Sequence, residues 1–338
     1  MDATWKKLSN QACRAAERGD AKRLRELQQV DPTLLTQGRP RAPLWLAASN
    51  GHVEVVKLLL RAKADPARED WETTACAIPE APLQVAARNG HDAVVAILEP
   101  LAQPLQLRQL MALRRVDDVR KRIKAKPKLA GERWFLRDVE SVWMEPLHFA
   151  AYYGEPKIVE SLLSAGGDPW GGYRDQERPW ILPFHLAIGR GHINILQQLL
   201  DAGAVPRTGS QICCAFSLAG YAQSQPIIDL LRSLKLDINS RRDDGEHCAH
   251  VHVRHPRLEP MCLLLDNGVD LNAQRRNGRT MLHFAASMGL TSFIDELAAR
   301  GADATLKDAG GHTAYDLAAK RKNLKAAEKM QELGLTGA

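Results

Sequence analysis

The stretch Pro146-Leu147-His148-Phe149-Ala150-Ala151-Tyr152-Tyr153-Gly154-Glu155 decides the fold of this 338-residue chain, because related stretches recur at other places in the sequence. A second apolar helical pattern follows each copy, as at 55–60 and 195–200. Proline costs no hydrogen bond in the first helical turn, and glycine permits a tight turn between two helices. The sequence therefore predicts repeated helix–turn–helix units. The other copies begin at Pro43, Pro82, Pro183 and Thr280.

These stretches resemble the ankyrin repeat, whose signature is Thr-Pro-Leu-His-x-Ala-Ala with a Gly-His between its two helices. The resemblance extends over nearly the whole chain. It implies an all-α fold, namely an ankyrin-repeat solenoid of stacked helix–turn–helix units with short β-hairpin or irregular fingers between them. Because a single helix pair cannot bury its own apolar face, we expect stability to come from stacking against neighbouring units.

Alignment on the glycine between the two helices predicts about ten helix pairs. Most units are 32 or 33 residues apart, but Arg114 follows Gly90 by 24 residues and precedes Gly154 by 40. The two irregular spacings together equal two ordinary repeats, so we interpret the Arg114 unit as degenerate but present. The ten aligned positions are Gly19, Gly51, Gly90, Arg114, Gly154, Gly191, Gln223, Pro256, Gly289 and Lys322.

This alignment predicts a single array over residues 1–338. We expect its end units to be atypical, because each exposes one face that an internal repeat would bury. The predicted parts are an N-terminal capping unit at 1–35, two repeats at 36–100, a degenerate basic unit at 105–130, five repeats with enlarged fingers at their start at 131–306, and a C-terminal capping unit at 307–338.

Composition narrows the class of protein further. The chain is 45% hydrophobic and 25% charged, which excludes wholesale disorder and collagen-like structure. No apolar run approaches the roughly 20 residues of a membrane span, and the polar, basic start predicts no secretory signal. Six cysteines without paired spacing indicate a reducing compartment. We therefore expect a cytoplasmic protein, with a nuclear location or delivery into a host cell as alternatives.

Three fingers are longer than the others, at 65–80, 128–145 and 167–182. Insertions in repeat arrays often map to the binding face, and tryptophan, tyrosine and arginine dominate interface hot spots. The alternative is that long fingers need aromatic anchors to pack on their neighbours. These fingers hold five of the seven tryptophans, Trp71, Trp134, Trp143, Trp170 and Trp180.

The resemblance also implies that the two residues before each inter-helix glycine face the solvent and contact partners. Combined with the tryptophans, this predicts an aromatic hot spot near the middle of the array. The predicted partner-binding residues are Trp143, Tyr152, Tyr153, Trp170, Tyr173, Arg174, Arg178, Trp180, Arg190, Tyr221 and Arg254.

A basic segment lies next to these fingers, with nine basic residues between 108 and 128 against Asp117 and Asp118. Basic runs can neutralise nucleic-acid phosphates, but no aromatic residue interrupts this one to stack on bases, so nucleic acid is not the expected partner. The ordinary interpretation is a solvated outer helix, and an acidic protein partner is the alternative. The predicted basic patch is Arg114, Arg115, Arg120, Lys121, Arg122 and Lys124.

A histidine-rich segment between His247 and His255 has the residue types of a zinc site. The resemblance places His250 where the family uses an imidazole to fix a turn through hydrogen bonds. Helical spacing would also keep the four histidines from converging, so we expect no metal site and no cofactor. Motifs of hydrolases, phosphate-binding loops and zinc proteases do not occur, which predicts a non-enzymatic protein.

Together these observations predict a monomeric, non-enzymatic scaffold that binds a partner protein on its concave finger and inner-helix face. The alternative is a regulatory protein, or a bacterial effector directed at a host. Such a protein would dock an acidic protein through residues 108–128.

Overall fold

The structure is a computed structural model that describes residues 3–37, 42–70, 78–136, 142–171 and 182–337. At residues 135, 136, 142 and 143 it describes the backbone alone. The described chain is dominated by α-helices, which confirms the predicted all-α class. It divides into two compact units, Met1–Gly172 and Tyr173–Ala338, and the described residues of each form five helix pairs.

In the first unit, the first helix of every pair packs on the first helix of the next pair, from α1 through α9. We call these the inner helices and their partners the outer helices. The pairs are α1 (Ala3–Arg18) with α2 (Ala21–Val30), α3 (Pro43–Ser49) with α4 (Val53–Arg61), α5 (Pro82–Arg88) with α6 (Asp92–Leu98), α7 (Leu107–Ala112) with α8 (Val116–Ala125), and α9 (Pro146–Tyr153) with α10 (Pro156–Ser164).

The second unit repeats this arrangement, with inner helices α11 through α19 packed in chain order. Its pairs are α11 (Pro183–Gly189) with α12 (Ile193–Asp201), α13 (Gly209–Tyr221) with α14 (Gln225–Ser233), α15 (Cys248–Arg254) with α16 (Leu258–Asp266), α17 (Met281–Met288) with α18 (Thr291–Ala299), and α19 (Ala314–Lys320) with α20 (Leu324–Glu332).

The described parts of the fingers between pairs are short hairpins or irregular loops, as the resemblance implies. One finger contains the antiparallel strands β1 (Trp134–Leu136) and β2 (Val142–Met144). Two others close on single bridges, Asp70 with Glu80 and Arg241 with His247. Residues 71–77, 137–141 and 172–181 of the three enlarged fingers lie outside the described residues.

The turn between paired helices has the same left-handed backbone at nine of the ten aligned positions, with φ between 49° and 79°. The degenerate unit conforms, because Arg114 has φ 53°. Gln223 and Lys322 adopt this conformation as well, without being glycine. Pro256 is the exception, since its ring fixes φ near −65°, and there the Arg257 N–H donates to the His252 carbonyl oxygen at 2.8 Å.

The Gly-His pair of the repeat has a direct structural explanation. His52 Nε2 lies 2.9 Å from the carbonyl oxygen of Glu17 in the preceding pair, and His91 makes the same contact with Ser49. A Cβ on Gly19 would lie only 2.7 Å from His52 Nδ1. Glycine is therefore needed both for the turn and for the approach of the next unit's imidazole.

Small residues let the inner helices approach each other closely. The alanine of the repeated Ala-Ala or Leu-Ala segment is fully buried in each well-conserved copy of the motif within this chain, at Ala47, Ala86, Ala150, Ala187 and Ala285. Phe149 and Phe184 fill the core beside them. Burial of this kind contributes about 25 cal/mol per Å² of apolar surface, so each pair depends on its neighbours for a core.

The left-handed turns make one energetic prediction. Replacing Arg114→Gly removes the clash of a side chain with the left-handed backbone and is expected to raise the free energy of unfolding by about 1 kcal/mol. Lys121→Gly, at an exposed position inside α8 of the same unit, is expected to lower it by about 1 kcal/mol. Urea unfolding of both variants measures the difference, and equal effects at the two positions would contradict it.

Candidate protein-binding surfaces

Tyr152 and Tyr153 lie in the core rather than on the surface. Their side chains are 1% and 4% exposed, so the expectation that this pair faces the solvent is wrong. Their rings meet edge-on with centroids 5.4 Å apart. The other predicted inner-helix residues, Arg190, Tyr221 and Arg254, are partly exposed.

A buried polar network explains the position of the two tyrosines. Gln84 Nε2 donates a hydrogen bond to Tyr153 Oη at 3.1 Å, and Tyr152 Oη donates to Glu80 Oε2 at 3.4 Å. The Arg88 guanidinium lies 2.8 Å from the same Glu80 oxygen and 5.6 Å from the centre of the Tyr152 ring. Burial raises the pKa of Tyr153 well above 10, so its hydroxyl stays neutral.

The short degenerate unit makes this network possible. Residues 99–106, which connect α6 to α7, contain a 3-10 turn at Glu99–Ala102 but form no finger. The tyrosines at the end of α9 therefore reach Glu80, which lies just before α5, and Gln84, which lies in the first turn of α5. The irregular spacing before Arg114 was the sequence signal for this contact.

One described aromatic residue of the enlarged fingers, Trp134, acts as a packing anchor. The Trp134 ring lies 5.2 Å from the Phe149 ring, centre to centre. At Trp170 the backbone N–H donates to Asp168 Oδ1 at 2.9 Å in a tight turn. Trp170 is partly exposed and remains a predicted contact residue. Tyr173, Arg174, Arg178 and Trp180, and the side chain of Trp143, lie outside the described residues.

In the second unit Arg254 belongs to a cluster that the sequence interpretation missed. Glu246 is almost fully buried, and its carboxylate forms ion pairs with Arg254 Nη1 at 3.2 Å and with Arg242 Nη1 at 3.4 Å. Arg275 Nη1 lies 3.7 Å from the same carboxylate and also pairs with Asp244 at 2.5 Å. We call Arg242, Arg254 and Arg275 the arginine cluster.

An aromatic residue lies on the same side of this unit. The Arg257 guanidinium lies 4.9 Å from the centre of the Tyr221 ring, and Tyr221 is the last residue of its inner helix. A cation above an aromatic face at this distance is attracted by the ring quadrupole. Met288, at the equivalent end of α17, is 42% exposed.

Charge is distributed unevenly in this unit. Its five outer helices carry eight acidic side chains, Asp201, Asp229, Glu259, Asp266, Asp295, Glu296, Glu328 and Glu332, against Arg232, Lys325 and Lys329. The fingers and inner helices carry more cations than acids. Their cations include Arg190, Arg207, Arg241, Arg242, Arg254, Arg275, Arg276, Arg279, Lys307, Lys320 and Arg321. Their eight acids are Asp237, Asp243, Asp244, Glu246, Asp270, Asp303, Asp308 and Asp316. The finger side is therefore the positive side of the unit.

The predicted basic patch is exposed along α8 and the turn before it. All six of its residues, Arg114, Arg115, Arg120, Lys121, Arg122 and Lys124, are exposed. Arg115 lies 3.2 Å from Glu99 and Arg120 lies 3.7 Å from Glu160, both near the surface. Such pairs are weak in water, so the patch keeps most of its positive potential.

The histidine-rich segment contributes to the core. The His247 N–H is directed at His250 Nδ1 at 3.4 Å, the same N-terminal helix contact that His148 and His283 make. His252 Nε2 lies 3.0 Å from the Ser217 carbonyl oxygen of the preceding unit. Among the residues that the structure describes, no group of histidine, cysteine or acidic side chains is placed to hold a metal ion.

Three of these histidines predict a loss of stability in acid. Burial lowers the pKa of His247 and His252 to about 4 and that of His250 to about 3. The unfolded chain, with histidine pKa values near 6.5, binds these protons first as pH falls. The contribution of these histidines to the free energy of unfolding is therefore present above pH 6.5 and lost as pH falls. We expect the free energy of unfolding to fall by about 1 kcal/mol per histidine between pH 7 and pH 5.5.

The variant His250→Gln isolates one of them, because Gln84 makes the same helix-start contact through its amide oxygen at 2.9 Å. This variant should keep the contact and lose about a third of the pH dependence, measured by urea unfolding at the two pH values. A variant as sensitive to acid as the unchanged chain would contradict the assignment.

Comparisons with known proteins agree with this architecture. Family models described as ankyrin repeats match residues 12–105 (three copies) and 264–318 (many copies), and an ankyrin repeat model matches residues 144–170. The chain belongs to the ankyrin repeat family. Within the described ranges, no helix has the length and apolarity needed to cross a bilayer.

Two individual similarities are more limited. A stretch of 97 residues is 30% identical to the E3 ubiquitin-protein ligase hecd-1 of Caenorhabditis elegans, covering 29% of this chain and 4% of that protein. The chain thus matches a small part of that relative's length. The crystal structure of the ankyrin repeat domain of Bcl-3, described as a unique member of the IkappaB protein family, aligns with TM-score 0.49 and 22% identity over 68% of this chain and 99% of that domain.

Proposed function

We propose that this chain is a non-enzymatic protein–protein interaction scaffold that acts as a monomer in the cytoplasm. Ankyrin repeats generally mediate interactions between proteins. The observation that carries the proposal is the exposed, positively charged finger and inner-helix side of the second unit, with Tyr221, Arg254 and Met288 on it. Tyrosine, methionine and arginine are enriched at interfaces.

The state of the cysteines supports a structural rather than a catalytic role for them. Cys213, Cys214 and Cys248 are buried. Burial raises the pKa of Cys214 to about 11 and that of Cys248 to about 12. Because the thiolate is the nucleophile, these thiols are unreactive near neutral pH.

A second candidate surface is the exposed basic patch on α8. Its cations lie on the outer helix α8 and in the turn before it, away from the faces on which the inner helices stack. Such a patch would dock an acidic protein, and lacking an interleaved aromatic residue it is poorly suited to single-stranded nucleic acid. This would be the route of a regulatory or host-directed factor.

Site-specific photocrosslinking distinguishes these surfaces. A benzoylphenylalanine placed at Met288 should crosslink a partner protein in extract of the source cells, whereas one at Lys325, on the outer helix α20, should not. A crosslink from Lys121 alone would favour the basic patch on α8. Partner capture from Lys325 as efficient as from Met288 would contradict binding by the finger side, with circular dichroism confirming that each variant is folded.

A further inference from the structure

The chain contains the same pair of a carboxylate and an arginine twice. Glu80 and Glu246 each lie two residues before an inner helix, and Arg88 and Arg254 are each the last residue of that helix. In both units the carboxylate is 1% exposed, and the ion-pair distances are 2.8 Å and 3.2 Å. The two units thus offer an internal comparison of one arrangement in two environments.

In the first compact unit, the Glu80–Arg88 ion pair is closed, meaning that it is shielded from solvent. Arg88 is 7% exposed, and the Tyr152 ring lies 5.6 Å from its guanidinium carbon. The Tyr152 hydroxyl also donates to Glu80. The charge of one arginine is therefore balanced by one carboxylate and shielded from solvent, which makes this copy part of the core.

In the second compact unit, the Glu246–Arg254 ion pair is open, meaning that its arginine is accessible to solvent. Arg254 is 40% exposed and Arg242 is 26% exposed, whereas Arg275 is 15% exposed and lies 5.6 Å from the centre of the Phe284 ring. Three guanidinium groups surround Glu246, and Asp244 is the second carboxylate within the cluster. Three positive charges against two negative ones leave an excess of positive charge at a solvent-accessible position. The neighbouring Arg276 is exposed and adds to it.

We propose that the arginine cluster binds an acidic peptide segment of the partner protein, a proposal that rests on the proposed scaffold function. A guanidinium presents five N–H donors in a planar fork that fits a carboxylate. Glu246 also holds the arginines in place before binding, which lowers the entropy lost when a partner is bound.

The pattern of charges favours spaced carboxylates over a continuous polyanion. Asp243, Asp244 and Asp270 lie among the finger arginines, and they would repel the regular phosphates of a nucleic acid. A peptide can instead place its acidic residues opposite the arginines and neutral residues opposite the aspartates. Complementary charge of this kind gives an interface its specificity.

The test uses a fluorescent peptide of alternating glutamate and serine, with a glutamine–serine peptide of equal length as its neutral counterpart. Fluorescence anisotropy at about 50 mM salt should show binding of the acidic peptide alone, because screening is limited there. The double variant Arg242→Gln/Arg254→Gln should weaken binding at least about tenfold, since hydrogen bonds to charged groups are lost.

The matched control, Arg232→Gln/Lys325→Gln, removes the same charge from exposed positions on α14 and α20. It should change the affinity by less than about twofold. Equal losses in the two double variants, no loss in the first, or equally tight binding of a single-stranded oligonucleotide would each overturn the proposal. Circular dichroism verifies folding. If the chain crosslinks a partner from Met288 but does not bind the acidic peptide, the scaffold function is supported and only the proposal of acidic-peptide binding fails.

Discussion

The stacking of inner helices through buried alanines is the constraint on which the rest of this structure depends. No pair of short helices has a core of its own, so each must be covered by the next. The His52 and His91 imidazoles reinforce the stack by contacting carbonyl oxygens of the preceding pair. The stacked helices fix the position of each core side chain, whereas the residues at the ends of the inner helices and in the fingers can vary without loss of the stack.

The register of the repeats could be predicted because it is a constraint on the backbone. A left-handed turn occurs in nine of the ten pairs, so even Arg114, Gln223 and Lys322 were located by counting from the glycines. The burial of Tyr152 and Tyr153 could not be predicted in the same way, because it depends on what the neighbouring units place opposite them. The irregular spacing before Arg114 was the available signal, but the contact it allows is between side chains of different repeats, which the sequence alone does not align.

The arginine cluster was missed for a related reason. Arg254 was selected from its position next to the turn, but its partners Arg242 and Arg275 come from two separate fingers. Only the stacked structure brings them to one carboxylate. The comparison with Glu80 and Arg88 shows that one local pattern serves stability where its arginine is buried and presents charge where its arginine is exposed.

Hydrogen–deuterium exchange with and without the acidic peptide tests this account most directly. If the open copy of the pair is a binding site, amides of residues 240–257 and 274–281 should exchange more slowly with the peptide bound, because binding suppresses local opening. Residues 78–88, around the closed copy, should be unchanged. Protection at 78–88, or protection confined to the outer helices at 258–266 and 324–332, would contradict it.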